Sequence, residues 1–213
     1  MKLPKHCVKL IERSSLKLTV YDIIFFTHPN VYIPSDDTYL LMDSLGITGG
    51  ERFLDLGCGT GVVGIYAAKK GAKEVIQIDI NPYAVLLARC NSVLNNVDDK
   101  IFSVVGNMFD PIAENYRFDV IAFNPPYLPV SDEGLIGKSW SGEASGREVI
   151  DAFLRVFDKF LSYDGKVYLI NSSLSNYNLT LKILGEKGFS WRIAGRKKFF
   201  FEEIVCIEAW RKC

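Results

Sequence analysis

Arg52-Phe53-Leu54-Asp55-Leu56-Gly57-Cys58-Gly59-Thr60-Gly61 is the stretch whose reading decides the fold. Its first five residues read as a short buried strand, and the glycines that follow open into a helical stretch, Val62 to Lys70. Glycines in a strand-to-helix turn allow tight bending and let a ligand approach the main chain closely. The next strand, Glu74-Val75-Ile76-Gln77-Ile78-Asp79, ends in a carboxylate. An acid at the tip of the second strand is placed to accept hydrogen bonds from both hydroxyls of a ribose. The two strands and their turn read as a nucleoside-binding half-fold.

Outward from this stretch, elements alternate as a parallel sheet with helices on both faces requires. A strand-like segment near Leu16 to Phe26 precedes the turn His28-Pro29-Asn30, and Ser35 or Asp36 caps a helix carrying Tyr39, Leu40, Met42 and Leu45. Asn81 caps and Pro82 starts a helix running through Leu94. Ile101 to Val105 is the third strand, followed by Gly106-Asn107-Met108-Phe109, and Phe118 to Phe123 is the fourth. A polar, glycine-rich loop spans about Leu128 to Gly146. Apolar residues at helical spacing then run from Arg147 to Tyr163, and Asp164-Gly165 turns into a strand, Lys166 to Ile170. A helix near Leu179 to Lys187 and two strand-like runs, Trp191 to Ala194 and Phe199 to Trp210, complete the chain. The expectation is one domain over residues 1–213, with residues 1–30 an N-terminal extension packed on it.

Asn124-Pro125-Pro126-Tyr127 ends the fourth strand. Two consecutive prolines cannot donate to a sheet ladder, and the residue before a proline is held extended. Asn124 therefore sits on a stiff corner at the carboxyl end of a strand, the edge where open α/β sheets bind ligands. A fixed amide oxygen and the Pro125 carbonyl suit the gripping of a planar amino group. Tyr127 offers a ring to pack against that group or against a cationic methyl. An Asn-Pro step is also an ordinary turn starter.

Two cofactors compete for the glycine loop. Gly59-Thr60-Gly61-Val62-Val63-Gly64 matches the dinucleotide fingerprint G-x-G-x-x-G, with Asp79 at about the expected interval. Asp55-Leu56-Gly57-Cys58-Gly59-Thr60-Gly61 matches instead the D-x-G-x-G-x-G pattern of S-adenosylmethionine-dependent methyltransferases. An acid at Asp55 can bind the amino group of a methionine moiety, whereas a pyrophosphate would be repelled by it. The reading taken is S-adenosylmethionine, with S-adenosylhomocysteine as product.

Bulk properties set limits. The 213 residues are 48% hydrophobic and 13% aromatic, which excludes a disordered chain. With 25 basic and 25 acidic residues the net charge is zero, which weakens any broad nonspecific binding to nucleic acid. Local basic clusters remain at Lys2, Lys5, Lys9, Arg13 and Lys17, and at Arg192, Arg196, Lys197 and Lys198. The five cysteines are odd in number and widely spaced, without C-x-x-C, and predict a reducing, cytoplasmic setting with no metal site. Lys9, Glu12 and Arg13 interrupt any apolar signal core, and Ile23-Ile24-Phe25-Phe26 is too short to span a bilayer. His6 and His28 lie outside the motifs and read as structural.

The glycine loop, Asp79 and Asn124 to Tyr127 together resemble the HemK-type amino-methyltransferases, which modify a glutamine side chain in peptide release factors. Val31-Tyr32-Ile33-Pro34-Ser35-Asp36-Asp37-Thr38 and Ser139-Trp140-Ser141-Gly142, leading to Gly146-Arg147-Glu148, are similar to the short archaeal and eukaryotic branch of that family. The resemblance runs from about Val31 through Phe160. It leaves no room for the additional N-terminal helical domain of the long bacterial form. It implies a Rossmann-like class I S-adenosylmethionine-dependent methyltransferase fold, a seven-stranded, mostly parallel sheet with helices on both faces.

Carried over residue by residue, it implies cofactor contacts at Thr38, Asp55, Gly57, Gly59, Asp79, Asn107, Met108 and Asn124. The catalytic residues would be Asn124, Pro125 and Tyr127, with Pro126 and Trp140 joining them around the substrate. Asn107 departs from the Asp often found there, and an asparagine carbonyl can still accept from an adenine amino group. Adenine in RNA or DNA and a protein lysine remain alternative acceptors, as does a non-enzymatic scaffold. The resemblance also implies a partner: the branch is commonly activated by a small zinc-binding protein that adds a strand at a sheet edge. In this fold's usual strand order that edge is Ile101 to Val105, an apolar run that would be an aggregation hazard if bare.

Overall fold

The computed structural model describes residues 4–12, 16–127 and 146–212. Its seven-stranded sheet is mostly parallel, and the chain divides into two interleaved units.

The first unit comprises Met1–Ser35 and Gly46–Ile112. Three parallel strands carry it: β3 (Arg52–Leu56), β4 (Glu74–Asp79) and β5 (Ile101–Val105), in the order β5-β4-β3. Register pairs Asp55 with Gln77 and Asp79 with Val105. β3 is almost wholly buried, as a strand covered on both faces must be. Helix α3 (Val62–Lys69) follows the glycine loop, and α4 (Pro82–Leu94) begins as its sequence dictates. Asn81 caps α4 by accepting the Tyr83 N–H, and Pro82 fills the position where a missing N–H costs nothing.

The segment Leu16 to Phe26 is not one strand but an antiparallel hairpin of β1 (Lys17–Val20) and β2 (Ile23–Phe26), preceded by a helix, α1 (Lys5–Ile11). Tyr21, at φ 50°, makes the turn in a left-handed conformation, a break that apolar patterning alone does not reveal. Two asparagines four residues apart, Asn91 on α4 and Asn95 at its C-cap, hold β2. The Asn91 side chain accepts from Phe26 N–H (2.9 Å) and donates to its carbonyl (3.1 Å), and Asn95 makes the same exchange with Ile24 (3.1 and 2.6 Å). Helix α1 closes over α4 in a small apolar cluster that includes Leu10, Val31 and Leu87. Within it Cys7 and Cys90 form a disulfide across 83 residues of sequence. This corrects the expectation of free thiols: a pairing that distant leaves no local spacing motif. His6 lies beside it, its donor atom within 4.8 Å of both sulfurs.

The second unit comprises Asp36–Leu45 and Ala113–Cys213. Its helices are α2 (Asp36–Ser44), α5 (Glu148–Val156) and α6 (Tyr177–Glu186). Its strands are β6 (Phe118–Phe123), β7 (Leu161–Ser172), β8 (Phe189–Lys198) and β9 (Glu203–Arg211), in the order β6-β7-β9-β8. β6 and β7 are parallel, whereas β7-β9 and β9-β8 are antiparallel. The helical spacing expected to reach Tyr163 stops at Val156 and tightens into a 3-10 turn, Phe157–Lys159. The aromatic residues serve one core: Phe123, Phe153, Phe157 and Phe189 stand with successive ring centroids 5.0–5.2 Å apart. Phe199 to Glu202, expected to begin the last strand, is the loop joining β8 to β9. Among the described residues no helix is long and apolar enough to cross a membrane.

Candidate active site

In the first unit the chain leaves β3 through glycines in the left-handed region. Gly61, at φ 81°, admits nothing larger, because a Cβ there would stand 2.7 Å from that of Ala88. Gly64 is equally constrained, with Gln77 Nε2 2.4 Å from where its Cβ would lie. Gly59 differs: among the described residues its would-be Cβ meets only the Tyr32 carbonyl, at 3.9 Å. The last two glycines of the fingerprint thus seat helix α3, and Gly59 faces space a ligand can fill. Beside it the Thr60 hydroxyl is buried with no hydrogen-bond partner among the described residues.

Asp55 lies beneath this loop. Its Oδ2 accepts from the Gly64 N–H (2.9 Å) and Gln77 Nε2 (3.1 Å), and Gln77 also donates to the Gly61 carbonyl (2.9 Å). Burial pushes the Asp55 carboxyl up to about 7; its two hydrogen bonds oppose the rise and the charge of Asp79 adds to it. Asp79, at the end of β4, accepts from Gly59 N–H at Oδ2 and from Asn81 N–H at Oδ1, both at 2.9 Å. Burial raises its carboxyl too, against these bonds. Each oxygen keeps a further lone pair for a ribose hydroxyl. Gly106 N–H donates to the Asp79 carbonyl (3.0 Å), which brings Asn107 and Met108 next to the end of β4. Asn107 is exposed, and Met108 holds φ 51°. That conformation costs a non-glycine residue about 1–2 kcal/mol.

In the second unit the Asn-Pro-Pro-Tyr corner is braced by the first turn of α2. Asn124 Nδ2 donates to Thr38 Oγ1 (3.4 Å), and Thr38 donates from both N–H (2.6 Å) and Oγ1 (3.1 Å) to Asp37 Oδ1. Tyr127 donates its hydroxyl to the other oxygen, Asp37 Oδ2 (2.9 Å). Asn124 Oδ1, in contrast, is buried with no hydrogen-bond partner among the described residues. A buried unpaired acceptor costs about 1–3 kcal/mol, so a fold retains one only for a reason. Pro125 is buried and Pro126 exposed. Tyr127 is 7% exposed, so its ring acts as a post within the corner and not as an open face.

The candidate residues thus gather as two sets: Asp55, Gly57, Gly59, Asp79, Asn107 and Met108 in the first unit, Thr38 and Asn124 to Tyr127 in the second. Trp140, with the stretch Ser139 to Gly142, lies outside the described residues. Sequence reasoning missed three members. Asp37 stands inside a quoted motif, but only its contacts reveal the brace; Thr60 and Gln77 carry no local signal. Arg147, quoted from the same resemblance, is a buried clamp: Nη1 donates to the Ser175 and Asn176 carbonyls and to Thr180 Oγ1, and Nη2 pairs with Asp151. His28 stacks on Tyr83 and accepts the Asn30 N–H at Nδ1.

The methyltransferase small domain model matches residues 22–189. The chain belongs to that family. This methyltransferase is 39% identical to a protein from Methanocaldococcus jannaschii described as a protein N5-glutamine methyltransferase, over 95% of this chain and 99% of that one. It is 34% identical to the human methyltransferase HEMK2 over 75% of this chain and 79% of that one. Among solved structures, Mtq2 of the E. cuniculi Mtq2–Trm112 complex, responsible for methylating the eRF1 translation termination factor, superposes with a TM-score of 0.67. The identity is 30%, over 86% of this methyltransferase and 99% of that chain. The fold is the class I S-adenosylmethionine-dependent one, and the cofactor is S-adenosylmethionine. The residues present suit it: an open glycine turn, an orphaned threonine hydroxyl and a carboxylate at the end of β4.

Proposed function

We propose that this methyltransferase acts on the side-chain amide nitrogen of a protein glutamine, in the Gly-Gly-Gln segment of a peptide chain release factor. The observation that carries this reading is the buried, unpartnered Asn124 Oδ1 on a proline-stiffened corner. S-adenosylmethionine supplies an electrophilic methyl group on a sulfonium.

An amide nitrogen is a poor nucleophile because its lone pair is delocalised. In this reading Asn124 Oδ1 and the Pro125 carbonyl each accept one N–H of the acceptor amide. They hold its lone pair toward the methyl and stabilise the positive charge that grows on nitrogen, an electrostatic contribution fixed in advance by the fold. Holding the acceptor amide in one orientation at this corner would supply the entropic share. Thr38 and Asp37 fix the Asn124 amide so that its oxygen, not its nitrogen, faces the acceptor. The proton leaves after transfer, so no strong base is required. Asp79 would hold the ribose hydroxyls and Asn107 the adenine amino group, with Gly57, Gly59 and Met108 lining the nucleoside. Asp55 would take the amino group of the methionine moiety.

Two further readings go with the first. Phe102, Val104 and Val105 are exposed on β5, the end strand of its sheet half, and support docking of a small zinc-binding activator there by strand addition. A substrate of the translation machinery places the enzyme in the cytoplasm. Methyl transfer from labelled cofactor should be measured on a release factor, its Gln→Ala variant at Gly-Gly-Gln, and an adenine-containing oligonucleotide, with and without the activator. Label on the first alone supports the reading; label on the oligonucleotide, or on the Gln→Ala protein, overturns it.

A further inference from the structure

The β8–β9 hairpin closes through Lys198-Phe199-Phe200-Phe201-Glu202-Glu203, where Lys198 pairs with Glu203 and Phe199 N–H donates to the Glu202 carbonyl (2.7 Å). Tight hairpin loops favour glycine, asparagine, aspartate and proline. Three consecutive phenylalanines supply none of that chemistry, and a local rule broken without structural gain marks a site used for something else. Phe200 and Phe201 are 94% and 84% exposed, their rings edge-to-face with centroids 4.5 Å apart.

The charges around this tip are answered within the chain. Arg196 pairs with Glu203 (3.0 Å), Lys197 with Asp36 (2.6 Å), and Lys198 approaches Glu203 (4.0 Å). Glu203 also accepts the Tyr177 hydroxyl, and Glu202 accepts Ser172 Oγ. What the tip offers outward is aromatic area, not cationic charge, which suits an apolar protein surface and not a polyanion.

The hairpin is also continuous with the catalytic corner. β8 lies against α2 so closely that a Cβ at Gly195 would stand 2.6 Å from Ser44 Oγ and 2.7 Å from Leu40 Cδ1. At the other end of α2, Lys197 holds Asp36, the residue next to Asp37 and Thr38, which brace Tyr127 and Asn124. The aromatic tip thus begins two residues beyond the ion pair that anchors β8 to the brace.

We propose that Phe200 and Phe201 form a docking site for an apolar patch on the protein that carries the acceptor glutamine. This rests on the reading of the acceptor given above. A Gly-Gly-Gln segment presents almost no side-chain surface of its own. Binding energy for its alignment must then come from parts of the substrate remote from the reacting amide. Two phenylalanine rings that become buried on docking are the kind of anchor that dominates such interfaces.

The test compares wild type with Phe200→Ala/Phe201→Ala on an intact release factor and on a short peptide containing only the Gly-Gly-Gln segment. With the intact protein KM should rise about tenfold, as expected when aromatic interface anchors are truncated, with kcat and cofactor affinity unchanged. Peptide turnover should be unaffected, and Phe200→Leu/Phe201→Leu should restore most of the loss. Unchanged melting temperature excludes a folding defect. A KM for the intact protein within about twofold of wild type, well short of a hot-spot effect, overturns the proposal. So does an effect confined to affinity for a poly(U) oligonucleotide, or to the mass of the particle in solution. If wild type itself fails to methylate the release factor, the acceptor reading falls and takes this docking role with it. That result is distinct from an active wild type whose variant behaves identically.

Discussion

Tyr127 donates its hydroxyl to Asp37 Oδ2 across 2.9 Å, and both side chains are buried, the aspartate at 3% exposure. Because Asp37 Oδ1 simultaneously accepts from Thr38, and Thr38 accepts from Asn124, one carboxylate ties the end of the proline corner back to its start. The prolines make the corner stiff, and the carboxylate decides where it points.

Removing the tyrosine hydroxyl should therefore harm catalysis more than binding. Tyr127→Phe removes a buried hydrogen bond to the Asp37 carboxylate, a loss of about 1–3 kcal/mol of stability. The account expects kcat to fall by about tenfold or more, as misplacement of a positioned group does, while cofactor affinity holds. Steady-state kinetics beside calorimetric cofactor titration checks this. Equal losses in both would mean that the brace merely supports the fold.

Asp55 gives the enzyme a pH signature. Its carboxyl sits at about 7 in the ligand-free fold, against 3.8 for the free side chain. The folded chain therefore holds a proton that the unfolded chain has released across that window, so this group's contribution to stability falls as pH rises from about 4 to 7. A cationic amino group binds the ionised form, so S-adenosylmethionine affinity moves in the opposite direction and improves as pH rises through 7. Below the pH at which the ligand's own amino group releases its proton, the affinity should be about fivefold weaker at pH 6 than at pH 7. Titration calorimetry at the two pH values measures it, and Asp55→Asn should flatten the dependence.

The Cys7–Cys90 disulfide fastens α1 to α4 across 83 residues of sequence. Closing so long a loop restricts the unfolded chain, and its removal should cost about 2–5 kcal/mol. Cys7→Ser should lower the melting temperature by several degrees, and a reductant should lower that of wild type to match. Catalysis below the new melting point should survive, because Asp79 and the glycine loop are also held by β3 and β4.

What the sequence disclosed follows the range of the forces involved. The glycine loop, Asp79 and the Asn-Pro-Pro-Tyr corner were legible because each is a local backbone requirement written in adjacent residues. The α4 cap at Asn81-Pro82 was legible for the same reason. Asp37 was not, since only the fold brings it to Tyr127, 90 residues away. The disulfide spans 83 residues and the Arg147 clamp reaches 28 to 33 residues along the chain, both beyond any local pattern. The β1–β2 hairpin was read as one strand because its turn at Tyr21 uses a non-glycine left-handed residue. The Phe199–Phe201 run was read as strand because phenylalanine favours strands, whereas the β8–β9 register puts it in the loop.

The central claim is that Asn124 Oδ1 accepts a hydrogen bond from the acceptor nitrogen. The most direct measurement is single-turnover methyl transfer by Asn124→Ala, paired with its calorimetric affinity for S-adenosylmethionine. Loss of transfer by a factor of about a thousand, the scale of removing a preorganised polar group, with affinity nearly intact, is the predicted result. A variant that transfers the methyl at near wild-type rate would contradict the account.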